Sequence, residues 1–105
     1  MNQIGLLLEP IRRKHVLKAI EKFNELGRDE FLKEYKFGKA KTCWLIYKEQ
    51  PYDSKAIVGV AYGFATDSDP LTPYDNHFYG GDPVLRKLSS LGFECKKGSR
   101  PNSQL

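Results

Sequence analysis

The chain has 105 residues and a mass of 12.0 kDa, enough for one domain with a single hydrophobic core. Hydrophobic residues make up 40% and charged residues 29%, a balance typical of a folded domain rather than a disordered chain. No stretch approaches the ~20 apolar residues of a membrane span, and the apolar run 4–8 lacks the preceding basic residues of a signal peptide. We therefore expect a small cytoplasmic domain that makes no membrane contact.

The excess positive charge lies in the N-terminal part of the chain. The net charge is +4 and the pI about 9.1. Residues 1–41 hold ten Lys/Arg and six Asp/Glu, whereas residues 42–105 hold seven of each. A basic face of this kind suits a phosphate backbone. A lysine-rich helix surface facing solvent gives the same pattern, so charge alone leaves both interpretations open.

Residues 11–26 are predicted to form an amphipathic helix. Apolar side chains recur there at helical spacing and can form one buried stripe, made of Val16, Leu17, Ile20 and Phe23. Pro10 suits the start of such a helix, and Gly27 suits its end. Another side of the helix carries the densest basic patch in the sequence, made of Arg12, Arg13, Lys14, Lys18 and Lys22, which Glu21 and Glu25 dilute.

A second, shorter helix is predicted over 28–35, because Asp29 and Glu30 suit a first turn. The basic loop 36–41 (KFGKAK) follows it and contributes Lys39 and Lys41 as further candidate DNA contacts.

Aromatic and branched residues make 42–47 (TCWLIY) the clearest strand in the chain. Residues 48–50 are predicted to form a tight turn, with a brief return strand around 51–52. The central helix is predicted over 54–66, with Asp53 as its N-cap. Gly59 and Gly63 lie four residues apart in it, and each costs roughly 1 kcal/mol relative to alanine. A close neighbour is therefore expected at these glycines, either another helix or a nucleic-acid backbone.

Residues 67–81 read as a long loop, and Asp82 as the cap of a last helix over 83–91. Residues 93–97 are predicted to form a final strand that pairs with 42–47. We expect residues 1–97 to form a single globular domain and residues 98–105 a flexible tail or the start of a linker. The fold class is α+β: a small antiparallel sheet of two to three strands packed with about four helices.

No combination of residues in the sequence points to catalysis. His15 and His77 lack a nucleophile nearby in sequence, and no HExxH, GxSxG, Walker A or GxGxxG pattern is present. Cys43 and Cys95 fall in predicted strands without zinc-finger spacing, which indicates buried reduced thiols. We therefore expect no enzyme activity, no metal and no cofactor.

The segment 77–82 (HFYGGD) and Lys55 each allow a functional and a structural interpretation. Exposed Phe78 and Tyr79 could stack on a base while the amides of Gly80 and Gly81 hold a phosphate; equally, the two aromatic rings could anchor the loop to the core. A lysine at position 55 opposes the helix dipole. A bound anion would explain it, and so would pairing with an acid such as Asp53.

The segment Thr42–Tyr62 (TCWLIYKEQPYDSKAIVGVAY) resembles a family motif in which a strand and a tight turn lead through Tyr-x-x-Lys-Ala into a helix. Together with the later Gly-Gly and Leu-Gly-Phe, it resembles the N-terminal domain of bacterial McrA-type (ScoMcrA-like) modification-dependent restriction proteins, where it precedes DNA-reading and HNH-nuclease domains. The resemblance covers about Ile11 to Lys97. Its motif residues here are Trp44, Tyr47, Tyr52, Lys55, Ala56, Gly80, Gly81, Leu91, Gly92 and Phe93.

This resemblance implies a role in restriction or defence against foreign DNA. We therefore expect a non-catalytic accessory domain that binds double-stranded DNA, with modified cytosine or phosphorothioate linkages as candidate features to be read. The candidate contacts are Arg12, Arg13, Lys14, Lys18, Lys22, Lys39, Lys41, Lys55, Tyr79, Gly80 and Gly81. The alternative is a protein-interaction or dimerisation module that contacts a nuclease domain or a partner chain through the Gly59/Gly63 face and the aromatic loop.

Overall fold

A computed structural model describes residues 3–75, 78 and 80–101 of the chain. Within them lie five helices and one three-stranded sheet. The elements are α1 (Gln3–Leu8), α2 (Arg13–Leu26), α3 (Arg28–Tyr35), β1 (Cys43–Tyr47), β2 (Gln50–Asp53), α4 (Ser54–Thr66), α5 (Asp82–Ser90) and β3 (Glu94–Lys97). The predicted α+β fold is confirmed. None of the helices in these ranges is long and apolar enough to cross a membrane.

The sheet is antiparallel, in the order β2-β1-β3. Two residues with positive φ, Lys48 and Glu49, form the turn that brings Tyr47 opposite Gln50. The last strand returns beside the first, so that Leu45 faces Cys95, as the sequence predicts. Beyond the register, the Gly98 N–H donates to the Thr42 carbonyl, at 2.9 Å between N and O.

The core lies where the helices pack on one another and on the sheet. α2 packs along α4, and α5 packs against α4, β1 and β3. The apolar stripe of α2 is buried as predicted, except that Leu17 is only half-buried. Trp44 is 1% exposed and donates its indole N–H to the Gly98 carbonyl. Most aromatic side chains of the described residues therefore serve the core.

Three predictions about the helices need correction. The sequence pattern does not indicate α1, which is only six residues long but buries Leu8. Asp53 occupies the N-cap position of α4 as predicted, but its side chain makes no capping hydrogen bond, because its carboxylate is bound by Arg28 and by the Ala40 N–H. Asp82 lies inside α5 rather than at its cap, where Gly81 stands, and its carboxylate pairs with Lys97.

Other parts of the chain pack closely against the two glycines of α4. A Cβ at Gly59 would lie 2.7 Å from Phe37 Cζ and 3.0 Å from the Leu71 carbonyl oxygen. A Cβ at Gly63 would lie 3.0 Å from the backbone nitrogen of Pro70. The Leu71 N–H donates to the Gly59 carbonyl. The glycines thus let the segment after α4 fold back over it, so the close neighbours are this loop segment and the Phe37 side chain rather than another helix.

Candidate nucleic-acid interface

The candidate DNA contacts that the structure describes fall mainly into two groups near opposite ends of α5. One group surrounds the start of α2, where Arg13 bonds the Leu91 carbonyl just beyond α5. The other surrounds Gly80 and Gly81, just before α5, with Lys55 beside them. Since α5 has nine residues and a helix rises 1.5 Å per residue, roughly 13 Å separates the two ends.

Arg13 has a structural role in addition to its charge. Its Nη1 donates to the Leu91 carbonyl at 3.0 Å, and its guanidinium carbon lies 4.3 Å from the centre of the Phe93 ring. These contacts hold the start of α2 against the end of α5 and the start of β3. Arg13 therefore fixes the position of its neighbours Arg12 and Lys14, whose side chains are exposed.

Lys87 of α5 adds a further cation beside this helix start. Its Nζ donates to the Glu9 carbonyl at 3.4 Å. Burial lowers the pKa of Lys87, and the charge of Arg12 lowers it further, while Glu9 acts in the opposite direction. We refer to Arg12, Arg13, Lys14 and Lys87 as the amino-terminal cluster.

His15 lies among the cations at the start of α2. Its Nδ1 accepts the Arg12 N–H at 2.9 Å, which requires a ring that is unprotonated at that nitrogen. Burial lowers the pKa of His15, and the charges of Lys14, Arg12 and Lys18 lower it further. No acidic residue lies in the first turn of α2. Within the first turn of α2 the positive charges therefore have no acidic neighbour, and Glu9 lies beside Lys87 just before the helix.

The positive charge does not continue along α2 as the predicted lysine row suggests. The Lys18 ammonium lies 4.8 Å from the centre of the Phe64 ring. Lys22 pairs with Glu25 at 3.4 Å between Nζ and Oε1. Lys18 and Lys22 therefore face a mixed surface farther along the helix.

Lys55 packs on an aromatic ring instead of pairing with Asp53. Its ammonium lies 5.2 Å from the centre of the Phe78 ring, and burial lowers its pKa. Among the ion pairs of the described residues, Asp53 belongs to Arg28. The proposed Lys55–Asp53 pair is therefore wrong. A cation that is partly withdrawn from water without a carboxylate partner stays a candidate for an anion.

The Phe78 ring is not free to stack on a base. Phe78 is 2% exposed and meets Phe37 edge to face at 6.3 Å between ring centres, so it anchors the loop. Tyr79 and His77 lie outside the described residues. Gly81 has φ 79°, a backbone conformation that favours glycine.

The basic loop 36–41 lies next to the Lys55 group. The Ala40 N–H donates to Asp53, the residue before α4, at 2.8 Å. Lys39 pairs with Asp29 at 3.7 Å between Nζ and Oδ1, whereas Lys41 is exposed. Because one of its three lysines is already paired, this loop offers less free charge than the sequence suggests.

The sequence does not indicate Lys87 as a candidate contact. It lies in a predicted helix far along the chain, and only the packing of α5 beside the start of α2 brings it near Arg12. No group of three or more metal-ligating side chains capable of holding an ion is found among residues 3–75, 78 and 80–101.

Comparison with known families gives one match. A family model described as "ScoMcrA-like, N-terminal head domain" matches residues 9–97. The matched range includes the whole of the amino-terminal cluster and all elements from α2 to β3. We found no match among curated proteins or among solved structures.

Proposed function

The chain belongs to the ScoMcrA-like N-terminal head domain family, and from that premise we propose that it binds the phosphate backbone of double-stranded DNA through its amino-terminal cluster. The family is a head domain of restriction and defence proteins and not their catalytic domain. The chain is accordingly proposed to hold or orient DNA without cleaving it.

The concentration of cations at the start of α2, none of which forms a salt bridge among the described residues, is the observation that supports this proposal. Arg12 and Lys14 are exposed, Arg13 is braced against α5, and Lys87 joins them from a different helix. Cations that come from two elements can bind neighbouring phosphates. Because a phosphate contact carries no sequence information, we expect this binding to be independent of the base sequence. Each such contact lowers the logarithm of affinity by about 0.9 per tenfold rise in salt concentration.

Reading of a base modification by Trp44 or Phe78 has less support. Trp44 and Phe78 are 1% and 2% exposed, so neither ring can stack on a base without leaving the core. We therefore propose backbone contact as the role of this domain, with the Lys55 group as a second, weaker contact.

We expect Arg12→Glu combined with Lys14→Glu to weaken duplex binding at least about tenfold at low salt, because two phosphate contacts become repulsive. Acidic residues are favourable near a helix N-terminus, so the variant should stay folded. Fluorescence anisotropy with a labelled duplex measures the affinity, and circular dichroism checks the fold.

The matched control is Lys33→Glu combined with Lys96→Glu, which changes the net charge equally at exposed residues outside the amino-terminal cluster. We expect the control to lose less than about threefold, since the long-range field alone is screened beyond roughly 10 Å. Equal losses in both double variants would show that only net charge matters, and would remove the amino-terminal cluster as the contact.

A further inference from the structure

A groove bordered by α2, α3 and α4 shares no lining residue with the amino-terminal cluster. Tyr35, at the end of α3, lines all three adjoining depressions of the groove, which have volumes of ≈ 260, ≈ 330 and ≈ 260 Å³. Phe64 of α4 lines two of them, and Pro70 also lines two. The groove is therefore one continuous surface centred on Tyr35.

The groove is acidic although the chain is basic. Its lining carries three basic side chains against five acidic ones, namely Glu21, Glu25, Glu34, Asp67 and Asp69. This gives the groove a formal charge of −2 in a chain of +4, so the remaining residues carry +6. A phosphate backbone is repelled by such a surface, and a cationic partner is attracted.

The aromatic walls of the groove already accept a cation. The Lys18 ammonium lies 4.8 Å from the centre of the Phe64 ring. The Tyr35 ring is half-buried and packs on Phe31 with 4.9 Å between ring centres, which fixes its orientation. Burial raises the pKa of the Tyr35 hydroxyl, and the charge of Glu34 contributes in the same direction.

Two carboxylates of the groove, those of Glu21 and Glu25, are held only weakly or not at all by cations of the described residues. Glu25 pairs with Lys22 at 3.4 Å, but the two side chains are 65% and 35% exposed. Exposed pairs of this kind contribute little and exchange partners readily. Glu21 is exposed and has no ion pair among the described residues.

One exposed aromatic residue stands close to the groove in sequence. Thr72 lines the third depression, and its Oγ1 accepts the Tyr74 N–H at 3.3 Å. The Tyr74 side chain is 86% exposed. Tyrosine is over-represented among the residues that dominate protein–protein binding.

We propose that this groove docks an arginine-bearing segment of a partner protein. The planar guanidinium stacks on the Tyr35 and Phe64 rings in place of Lys18, and its N–H groups donate to the carboxylates of Glu21 and Glu25. Arginine fits better than lysine because it can stack and bond a carboxylate in two places at once. This interaction is independent of the proposed DNA contact and leaves the amino-terminal cluster free.

The test is a nuclear magnetic resonance titration of the ¹⁵N-labelled 105-residue chain. The probe is a peptide with uncharged ends that carries two arginines separated by glycine. Two comparison peptides carry citrulline or lysine in place of the arginines. We expect the arginine peptide to shift the amide signals around Tyr35 and Phe64, with a Kd on the order of 1 mM. The lysine peptide should bind less tightly. The citrulline peptide, whose side chains are planar but uncharged, should shift none of these amide signals.

The variant Glu21→Gln combined with Glu25→Gln should weaken binding of the arginine peptide at least about fivefold. Its matched control is Glu30→Gln combined with Glu94→Gln, which changes the net charge equally at exposed residues outside the groove and should leave the affinity within about twofold.

Three results would overturn the proposal: no groove signal shifted by the arginine peptide at concentrations well above 1 mM, equal binding of the citrulline peptide, or equal losses in both double variants. A duplex that shifts the same groove signals would also contradict it, because the groove would then belong to the DNA contact. The DNA titration of the amino-terminal cluster is read separately, so either proposal can fail alone.

Discussion

Replacing Arg28 with methionine is expected to lower the free energy of unfolding by about 3–5 kcal/mol, because it leaves a buried carboxylate without its cation. Asp53 is 2% exposed and accepts two hydrogen bonds from Arg28, each at 2.9 Å. The Ala40 N–H would be its remaining partner. The hydrogen bond to Asp53 also raises the pKa of Arg28, which accords with a tightly held pair.

Urea unfolding followed by circular dichroism measures this loss, with Lys39→Met as the control. Lys39 pairs with Asp29 nearby, but both side chains are exposed, so the control should cost less than about 0.5 kcal/mol. Combining Arg28→Met with Asp53→Leu should cost clearly less than the sum of the two single changes. Additive losses would show that the two residues do not depend on each other.

Replacing Gly59 with valine is expected to cost roughly 2–3 kcal/mol, because the new side chain overlaps its neighbours. Its Cβ would stand 2.7 Å from Phe37 Cζ and 3.0 Å from the Leu71 carbonyl oxygen. Phe37 cannot move freely, since it is 8% exposed and meets Phe78. Glycine is unfavourable inside a helix, so replacing it is itself stabilising, but by only about 1 kcal/mol or less. This gain offsets only part of the strain.

The control for this change is Gly38→Ala, at a glycine that has no atom within 4 Å of an added Cβ. We expect the control to alter the free energy of unfolding by no more than about 0.5 kcal/mol, again measured by urea unfolding. Wild-type stability in Gly59→Val would mean that the segment around Leu71 yields easily, and that Gly59 is not needed for close packing.

Local patterns predicted the elements well. The apolar spacing of α2, the aromatic strand β1 and the apolar run of α4 each depend on a few consecutive residues, and the structure confirms them. The close approach at Gly59 and Gly63 was also predictable, because glycine is costly inside a helix. The sequence suggests another helix or DNA as the close neighbour, whereas the structure shows the Phe37 side chain and the non-helical segment after α4.

The remaining features depend on pairs of residues far apart in the chain. Aspartate is a favoured residue type at an N-cap, which is why the sequence predicts that role for Asp53. Arg28, however, lies 25 residues earlier and binds the Asp53 carboxylate more strongly than a backbone amide can. Lys87 and Arg12 are brought near each other only by the packing of α5. The acidic groove likewise combines side chains from three helices and a loop, and no single segment shows it.

The two surfaces separate the charge of the domain in a way that suits a connecting role. Cations collect at the start of α2, and carboxylates collect around Tyr35. Under the two proposals, the domain holds DNA with the amino-terminal cluster and a basic partner protein with the groove, because each ligand is repelled by the charge of the other surface.

The most direct test of the proposed DNA contact is an anisotropy titration of the 105-residue chain with labelled duplexes at low and moderate salt. One duplex is unmodified, one carries 5-methylcytosine and one carries phosphorothioate linkages. Backbone binding through the amino-terminal cluster predicts that affinity falls steeply with salt, by about 0.9 logarithmic units per phosphate contact and tenfold salt, and equally for all three duplexes. Failure to bind any duplex at low salt, or binding that ignores salt, would contradict the proposed function.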